Sequence, residues 1–188
     1  MNLLVLLADG FEEVEALTVV DYLRRLGGLR VDMVSISGER EVRGAHDIRV
    51  LADDLIDRID PRDYRGVVIP GGLPGATNLR DSEKVIDIVK YMDGERNLIA
   101  AICAGPIVLA RAGVIAGRRI TSFPGLEDEF KEATYVEDKV ALDGHLITSR
   151  GPALALEFAL EISNYLLGRE KVEELKDSIL YDKLFEGQ

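Results

Sequence analysis

Hydrophobic runs alternate along the chain with longer segments that carry an apolar stripe. Hydrophobic runs at residues 2–7, 66–69 and 98–102 indicate buried strands, and residues 29–36 indicate a further strand. Helical spacing is found in residues 11–26, 82–92, 104–112 and 152–167. Since buried strands separated by helices are typical of parallel sheets, the pattern predicts an α/β fold. We expect a mostly parallel sheet with helices on both faces.

Shorter alternating segments predict smaller elements between these. Residues 40–51 contain two alternating pieces around Gly44 that suggest a hairpin, and residues 119–122 suggest a short strand. Residues 139–142 and 145–148 flank Asp143-Gly144. That dipeptide is a strong signal for a two-residue hairpin turn.

Length and composition favour one domain over residues 1–188. Chains usually divide only beyond about 250 residues, and this one has 188, of which 47% are hydrophobic and 30% charged. Residues 169–188 form a charged tail with helical stretches. Neither an internal repeat nor a long linker interrupts the pattern.

The charge balance disfavours two classes of partner. Lys and Arg number 23 against 34 Asp and Glu, which gives a net charge of −11. Such an acidic surface repels nucleic-acid phosphates and anionic lipids. The longest apolar run, residues 98–110, is shorter than the ~20 residues of a membrane span, and no basic region precedes the apolar start of the chain. We therefore expect a soluble, cytoplasmic protein.

Motifs for metals and cofactors are missing from the sequence. His46 and His145 stand alone, and no pair of His or Cys has ligand spacing, so no zinc site is expected. Neither the dinucleotide fingerprint nor a phosphate loop is present. We expect no cofactor, and we expect His46 in a surface loop and His145 facing solvent or core on a strand.

Cys103, the one cysteine of the chain, is the main candidate for chemistry. It follows the predicted strand at residues 98–102 directly, and a helix pattern begins at Ala104. A sharp turn there would hold the sulfur above the sheet edge, as in a nucleophile elbow, and the helix N-terminus would lower the thiol pKa. The alternative is a buried structural cysteine, and spacing alone does not decide between the two.

Glu15 is the second candidate. It lies on the apolar stripe of the first predicted helix, where burial should raise its pKa and leave it able to donate a hydrogen bond to a thiolate. The alternative is that Glu12, Glu13 and Glu15 complement the helix dipole, which suits Glu12 and Glu13 better than Glu15.

Two further features suggest contacts with a ligand and with a partner. Gly71 and Gly72 let the backbone run close to a ligand, although spacing alone favours an ordinary turn. The first helix has a second apolar side with Val14, Leu17 and Val20. Because large exposed apolar patches are rare on monomers, we expect a homodimer that uses this side.

Four motifs together resemble the ThiJ/PfpI superfamily, and more closely its parkinsonism-associated deglycase (DJ-one) branch. They are Leu-Ala-Asp-Gly-Phe-Glu-Glu-Val-Glu at residues 7–15, Pro-Gly-Gly-Leu-Pro-Gly-Ala-Thr-Asn-Leu at 70–79, Ala-Ala-Ile-Cys-Ala-Gly-Pro at 100–106 and Thr-Ser-Arg-Gly-Pro at 148–152. The resemblance covers roughly residues 1–168, in order and at similar spacing.

This resemblance implies a flavodoxin-like sandwich that forms a homodimer. Cys103 would be the nucleophile, Glu15 its hydrogen-bonding partner, and the backbones of Gly72 and Ala104 an oxyanion pocket, with Gly71 lining the site. The implied activity is cofactor-free action on 2-oxoaldehydes or on their glycated amine and thiol adducts, together with an oxidative-stress role. The alternative is a redox sensor or chaperone that acts through oxidation of Cys103.

Two residues depart from the patterns of the superfamily. Phe123 stands where the branch often has a histidine that could serve as a base, so Glu15 would have to move protons alone. Ala104 stands where the peptidase branch has a histidine, which disfavours a cysteine peptidase.

Overall fold

The computed structural model describes residues 1–185. Its strands are β1 (Asn2–Leu7), β2 (Arg30–Ser35), β3 (Glu41–Arg43), β4 (Arg49–Leu51), β5 (Asp54–Leu55), β6 (Gly66–Ile69), β7 (Leu98–Ile102), β8 (Arg119–Ile120), β9 (Thr134–Tyr135), β10 (Val140–Asp143) and β11 (Leu146–Ser149). Its helices are α1 (Glu13–Arg25), α2 (Gly75–Arg80), α3 (Glu83–Gly94), α4 (Pro106–Ala112), α5 (Ala155–Leu167) and α6 (Arg169–Ser178).

Seven of these strands form the central sheet. Their order is β10-β11-β7-β6-β1-β2-β5, and only the edge pair β10–β11 is antiparallel. The other neighbours all pair in parallel. The predicted fold class is confirmed, since the sheet is mostly parallel and helices lie around it.

Alternate residues of the strands supply two hydrophobic cores, one on each face of the sheet. On β1, Leu3, Val5 and Leu7 join α1 and α5 in one core, whereas Leu4 and Leu6 join α2, α3 and α4 in the other. This follows from the period of two along a strand. Because both faces are covered, the carboxyl ends of the strands remain as the place where a ligand can approach.

Some smaller elements differ from the prediction. The hairpin β10–β11 turns at Gly144 and His145, one residue later than expected. The predicted strand at residues 119–122 is shorter, and β8 pairs with β9 outside the central sheet. The hairpin around Gly44 is confirmed as the pair β3–β4. Helix α2 was not expected, because glycine and asparagine give residues 75–80 low helix propensity.

The second apolar side of α1 is smaller than expected. Val20 is buried in the core beneath α1, so its assignment to an exposed face is wrong. Val14 is exposed and Leu17 half-buried, and they remain available to a partner.

The charged tail folds back onto the body of the protein. Val172 and Leu175 on α6 pack against Leu160 on α5. Residues 186–188 of the predicted tail lie outside the described residues, and the assignment of residues 1–188 to one domain stays a prediction. Within residues 1–185, no helix combines the length and the apolar character needed to cross a bilayer.

Gly105 offers a test of how tightly the strand-to-helix turn packs. A Cβ there would lie 2.5 Å from the Ile69 carbonyl oxygen and 2.9 Å from that of Ile102. Because both are backbone atoms of sheet strands, Gly105→Ala should lower the free energy of unfolding by about 1–3 kcal/mol.

Gly94→Ala is the matched control, since a Cβ at Gly94 meets nothing within 4 Å. It should be neutral or stabilising by up to about 1 kcal/mol. Urea denaturation measures both, and equal stability of the two variants would contradict the packing described here.

Candidate active site

Cys103 occupies a sharp turn between β7 and α4. Its φ angle is +62°, which a side-chain-bearing residue rarely adopts. Two backbone hydrogen bonds hold it there: its N–H donates to the Ser149 carbonyl at 2.9 Å, and its carbonyl accepts from the N–H of Phe123 at 2.9 Å. The turn agrees with the elbow expected from the sequence, and β11 and the segment after β8 fix its geometry.

Glu15 lies in the first turn of α1 and is fully buried. Its Oε2 accepts a hydrogen bond from the N–H of Gly71 at 2.8 Å. Its Oε1 is buried without a hydrogen-bond partner among the described residues. A buried carboxyl oxygen in this position favours a proton on the acid, because a free charge there is costly.

Gly71 is the point at which Glu15 and Cys103 meet. A Cβ built on Gly71 would lie 2.7 Å from the Cβ of Cys103 and 2.7 Å from Oε2 of Glu15. It would also lie 2.9 Å from the nitrogen of Ala104. Any larger residue would therefore push the acid and the thiol apart, so the ordinary-turn interpretation does not account for this glycine.

Gly72 brings a second backbone segment to the thiol. Its φ angle is +83°, and a Cβ there would lie 2.5 Å from the Gly10 carbonyl oxygen. Burial is the largest influence on the Cys103 pKa and raises it, whereas hydrogen bonds from the N–H groups of Ala104 and Gly72 favour the charged sulfur and offset part of that rise. Two converging N–H donors are what an oxyanion pocket requires.

Burial governs the pKa of the acid. It raises the pKa of Glu15 from 4.5 to about 7; hydrogen bonds from Gly71 and Cys103 oppose this, and the charge of Glu12 adds to it. Near neutral pH, Glu15 can therefore either hold or release a proton.

The expected lowering of the thiol pKa is wrong. Burial is the largest cause that raises the pKa of Cys103 to about 12, followed by the ionised carboxylate of Glu15, and the donors at Ala104 and Gly72 offset only part of this. The expectation relied on the N-terminus of α4 and on a hydrogen bond from Glu15, but burial outweighs the backbone donors and the contact with Glu15 itself raises the thiol pKa. The two groups repel each other when both are charged, so they share a proton and titrate as a pair.

A pocket of about 310 Å³ opens beside the thiol. Its walls are largely apolar, formed by Leu73, Ala104, Phe123, Pro124, Leu126 and Pro152. Glu12 and Cys103 are the ionisable side chains that line it. Of these residues, Ala104 and Phe123 were expected at the site. Leu73 and Pro152 belong to the motifs at residues 70–79 and 148–152, but nothing in their spacing, or in that of Pro124 and Leu126, marks them as neighbours of Cys103.

The DJ-1/PfpI family model matches residues 1–165. The chain belongs to the DJ-1/PfpI family. Protein dj-1beta of Drosophila melanogaster is 41% identical over 179 residues, which are 94% of this chain and 95% of that protein. Its crystal structure superposes with a TM-score of 0.91 and covers 95% of this chain and 97% of its own. The predicted superfamily is thereby confirmed.

The names of two other relatives describe an enzymatic activity in one case and an oxidized state in the other. A Caenorhabditis elegans relative named glutathione-independent glyoxalase DJR-1.2 is 34% identical and covers 92% of each chain. The structure of Toxoplasma gondii DJ-1 in an oxidized state is 34% identical, with a TM-score of 0.91, and covers 95% of this chain and 97% of its own.

A second cluster of titratable side chains lies beside this DJ-1/PfpI site. His46 is exposed in the loop between β3 and β4, as expected, and its Nδ1 lies 2.8 Å from Oε2 of Glu13 and 3.5 Å from Oε1 of Glu12. Burial favours the neutral acid at Glu13, but hydrogen bonds from the side chain and backbone of His46 outweigh it and lower the Glu13 pKa.

Sequence spacing does not reveal this cluster, because Glu13 and His46 lie 33 positions apart and only the fold brings them together. One ligand atom from each of Glu12, Glu13 and His46 lies within 4.8 Å of the others, close enough to hold a metal ion. Hydrogen bonds within the group already account for the arrangement, because the Glu13 carboxylate fixes the loop through the N–H of His46 at 2.7 Å. The expectation that no metal is bound stays a prediction.

His145 lies away from the thiol. It sits in the β10–β11 turn, where its Nε2 lies 2.8 Å from Oδ1 of Asp93 and its carbonyl accepts from Ile99 near the amino end of β7. Cys103 follows the carboxyl end of the same strand, at the opposite end from His145. His145 therefore cannot act as the base that the branch often has at the position of Phe123.

The raised pKa of Glu15 makes stability depend on pH. The folded-state pKa of about 7 is above the ordinary value of 4.5, so the favourable contribution of the neutral acid is complete below about 4.5 and is lost as the pH rises through 7. Glu15→Gln should match the parent at about pH 4 and exceed its stability by up to roughly 3 kcal/mol at about pH 9.

Asp21→Asn, an acid-to-amide change on the exposed face of α1, is the control and should keep the parental pH profile. Urea denaturation across this pH range provides the measurement. If the Glu15→Gln profile runs parallel to that of the parent, the pKa of Glu15 is not raised.

Proposed function

We propose that this protein is a cofactor-independent, cysteine-dependent enzyme that acts on 2-oxoaldehydes, with glyoxalase-type chemistry. The observation that carries the proposal is the meeting of Cys103, Glu15 and two backbone N–H donors at the floor of an accessible pocket. A nucleophile, a proton carrier and an oxyanion pocket are the groups that this reaction requires. The glyoxalase name of the Caenorhabditis elegans relative supports the same class of reaction.

The first step joins the substrate to Cys103. Ionised Glu15 takes the proton from the Cys103 thiol as the sulfur adds to the aldehyde carbon; a C–S bond forms and the carbonyl electron pair moves to oxygen. The N–H groups of Gly72 and Ala104 stabilise that oxyanion, which then takes the proton from Glu15. The product is a hemithioacetal beside an ionised Glu15.

The second step moves a proton between the two substrate carbons. Ionised Glu15 removes the proton on the former aldehyde carbon, giving an enediolate, and returns it to the neighbouring carbon while the hydroxyl proton passes between the oxygens. The result is a thioester, which water hydrolyses to a 2-hydroxy acid and free Cys103. One carbon is oxidised and the other reduced, so the reaction balances without an external oxidant. A pKa of about 7 suits Glu15 to both proton transfers.

Glycated adducts are an extension of the same chemistry. The sulfur of Cys103 would displace the amine from the adduct carbon: a C–S bond forms, the C–N bond breaks, and the amine leaves with a proton from Glu15, which gives the same hemithioacetal. This deglycase activity and the oxidative-stress role rest on the resemblance of the site. Ala104 in place of a histidine keeps a peptidase the less favoured assignment.

A redox sensor is the second candidate. In it the Cys103 thiolate attacks a peroxide, the O–O bond breaks and a sulfenate forms, and a second peroxide yields the sulfinate. The donors at Gly72 and Ala104 would stabilise the added oxygens. The oxidized state of the related Toxoplasma gondii protein favours this candidate.

A homodimer through α1 is also part of the proposal. Val14, Leu17, Tyr22 and Ile48 line a groove at the surface, and Val14 and Ile48 are among the exposed large hydrophobic residues. A second copy would cover this apolar surface. Cytoplasmic location stays a prediction.

Glu15→Gln tests the catalytic assignment. The amide keeps the size of the side chain but cannot exchange protons, so kcat/KM for methylglyoxal should fall by about 10²–10⁴-fold. Cys103→Ser sets the level of complete loss, and Asp21→Asn should retain the parental rate. Retention of most activity in Glu15→Gln would leave the redox sensor as the better assignment.

Oxidation of Cys103 tests the second candidate. Mild peroxide should add the mass of two oxygen atoms to the intact parent protein and none to Cys103→Ser. Peptide mapping locates the oxygen, and modification confined to the methionines would exclude a sensor role for Cys103.

The mass in solution tests the dimer. Light scattering should give twice the chain mass of 20.7 kDa for the parent and a single chain mass for Val14→Glu, which places a charge in the groove. Leu142→Glu, on the exposed part of β10, should leave the dimer intact. A monomeric parent at micromolar concentration would show that α1 is not an interface.

A further inference from the structure

Two large apolar side chains stand exposed beside the thiol. Leu73 is 63% exposed and Phe123 is 49% exposed, and both line the pocket that holds Cys103. Neighbouring apolar side chains exposed at a pocket are typical of a ligand-binding groove. These side chains are therefore suited to contact an apolar part of a substrate.

The backbone holds Phe123 in this place. Its N–H donates to the carbonyl of Cys103 at 2.9 Å, so the ring and the sulfur are fixed to the same turn. The edge of the ring lies over Gly151, where a Cβ would be 3.4 Å from Cδ2 and 3.7 Å from Cε2. The wall formed by Phe123 is thus a positioned feature of the site.

The side chains that line the pocket would repel a negatively charged substrate. Among the described residues that line it, none is a lysine, arginine or histidine, and Glu12 contributes an acidic side chain. The whole chain carries a net charge of −11. A substrate with a carboxylate or phosphate would meet repulsion without a compensating ion pair.

The volume of the pocket is large for the smallest 2-oxoaldehydes. Its volume of about 310 Å³ is within the range of roughly 300–1,000 Å³ that is usual for small-molecule pockets. A three-carbon aldehyde attached to Cys103 would leave much of the apolar wall in contact with water. An aromatic substituent would fill the space and cover both Leu73 and Phe123.

We infer that this site selects uncharged 2-oxoaldehydes with an aromatic or branched apolar substituent, and that Phe123 is the residue that determines this specificity. The inference rests on the proposed function, because it names the substrate class of the same site. It gives a role in substrate selection to Phe123, which occupies the position where related proteins often have a histidine.

The catalytic efficiency with three different aldehydes tests the inference in the enzymatic reaction. We compare kcat/KM for phenylglyoxal, 4-carboxyphenylglyoxal and methylglyoxal, each divided by its rate of addition to a small free thiol. Phenylglyoxal should exceed methylglyoxal by at least about 10-fold, the scale of one well-filled apolar subsite. The carboxylated analogue should fall below phenylglyoxal by a similar factor.

A substitution at Phe123 tests whether this residue determines the preference for an aromatic substrate. Phe123→Ala should lower the ratio of phenylglyoxal to methylglyoxal by about 10-fold. Tyr165→Ala removes a partly exposed ring near the far end of α5 and should leave the ratio unchanged. An unchanged ratio in Phe123→Ala would overturn the role given to Phe123.

Alkylation of Cys103 separates this inference from the proposed function, since it needs no turnover. The sulfur displaces bromide from phenacyl bromide, a C–S bond forms and bromide leaves with the electron pair. Relative to a free thiol, phenacyl bromide should react at least about 10-fold faster than 4-carboxyphenacyl bromide.

The outcomes can be told apart. If no aldehyde is turned over but alkylation keeps this order, the proposed function fails and the selectivity of the pocket against anions stands. If charged and uncharged reagents react alike, the inference is wrong whatever the turnover.

Discussion

A single carboxyl group buried beside a single thiol is the constraint on which this site depends. Glu15 is fully enclosed, yet α1 presents it at the place where β6 and β7 end. Two negative charges cannot coexist there without water, so the acid and the thiol hold one proton between them. Burial raises the pKa of Cys103 to about 12 and that of Glu15 to about 7, so near neutral pH that proton lies on the sulfur.

Glycine residues, which lack side chains, allow the backbone to bring the acid and the thiol this close together. Gly71 lets Glu15 approach Cys103, Gly72 turns a second donor towards the sulfur, and Gly105 lets α4 start against β6. The positive φ of Cys103 is a strained conformation, and the neighbouring strand β11 holds it by a hydrogen bond. The parallel sheet thus positions the chemistry because it brings three strand ends to one edge.

Sequence patterns predicted the central strands, the sharp turn at Cys103 and the burial of Glu15, because each rests on local periodicity. They did not predict α2, whose residues have weak helix propensity, or β9, which has two residues and forms by pairing with β8. Val20 was placed on the wrong side of α1, since helical spacing does not say which side α5 covers. The contact of Glu13 with His46 joins residues 33 positions apart, and the raised thiol pKa depends on burial that no spacing reveals.

The most direct measurement is the titration of the Glu15 carboxyl itself, by NMR of the side-chain carbonyl carbon in protein labelled at glutamate. We expect an inflection for Glu15 near pH 7, well above those of the exposed glutamates. That inflection should change when Cys103 is replaced by alanine, because the two groups share a proton. An inflection near the ordinary value of about 4.3, unaffected by Cys103→Ala, would contradict the shared proton.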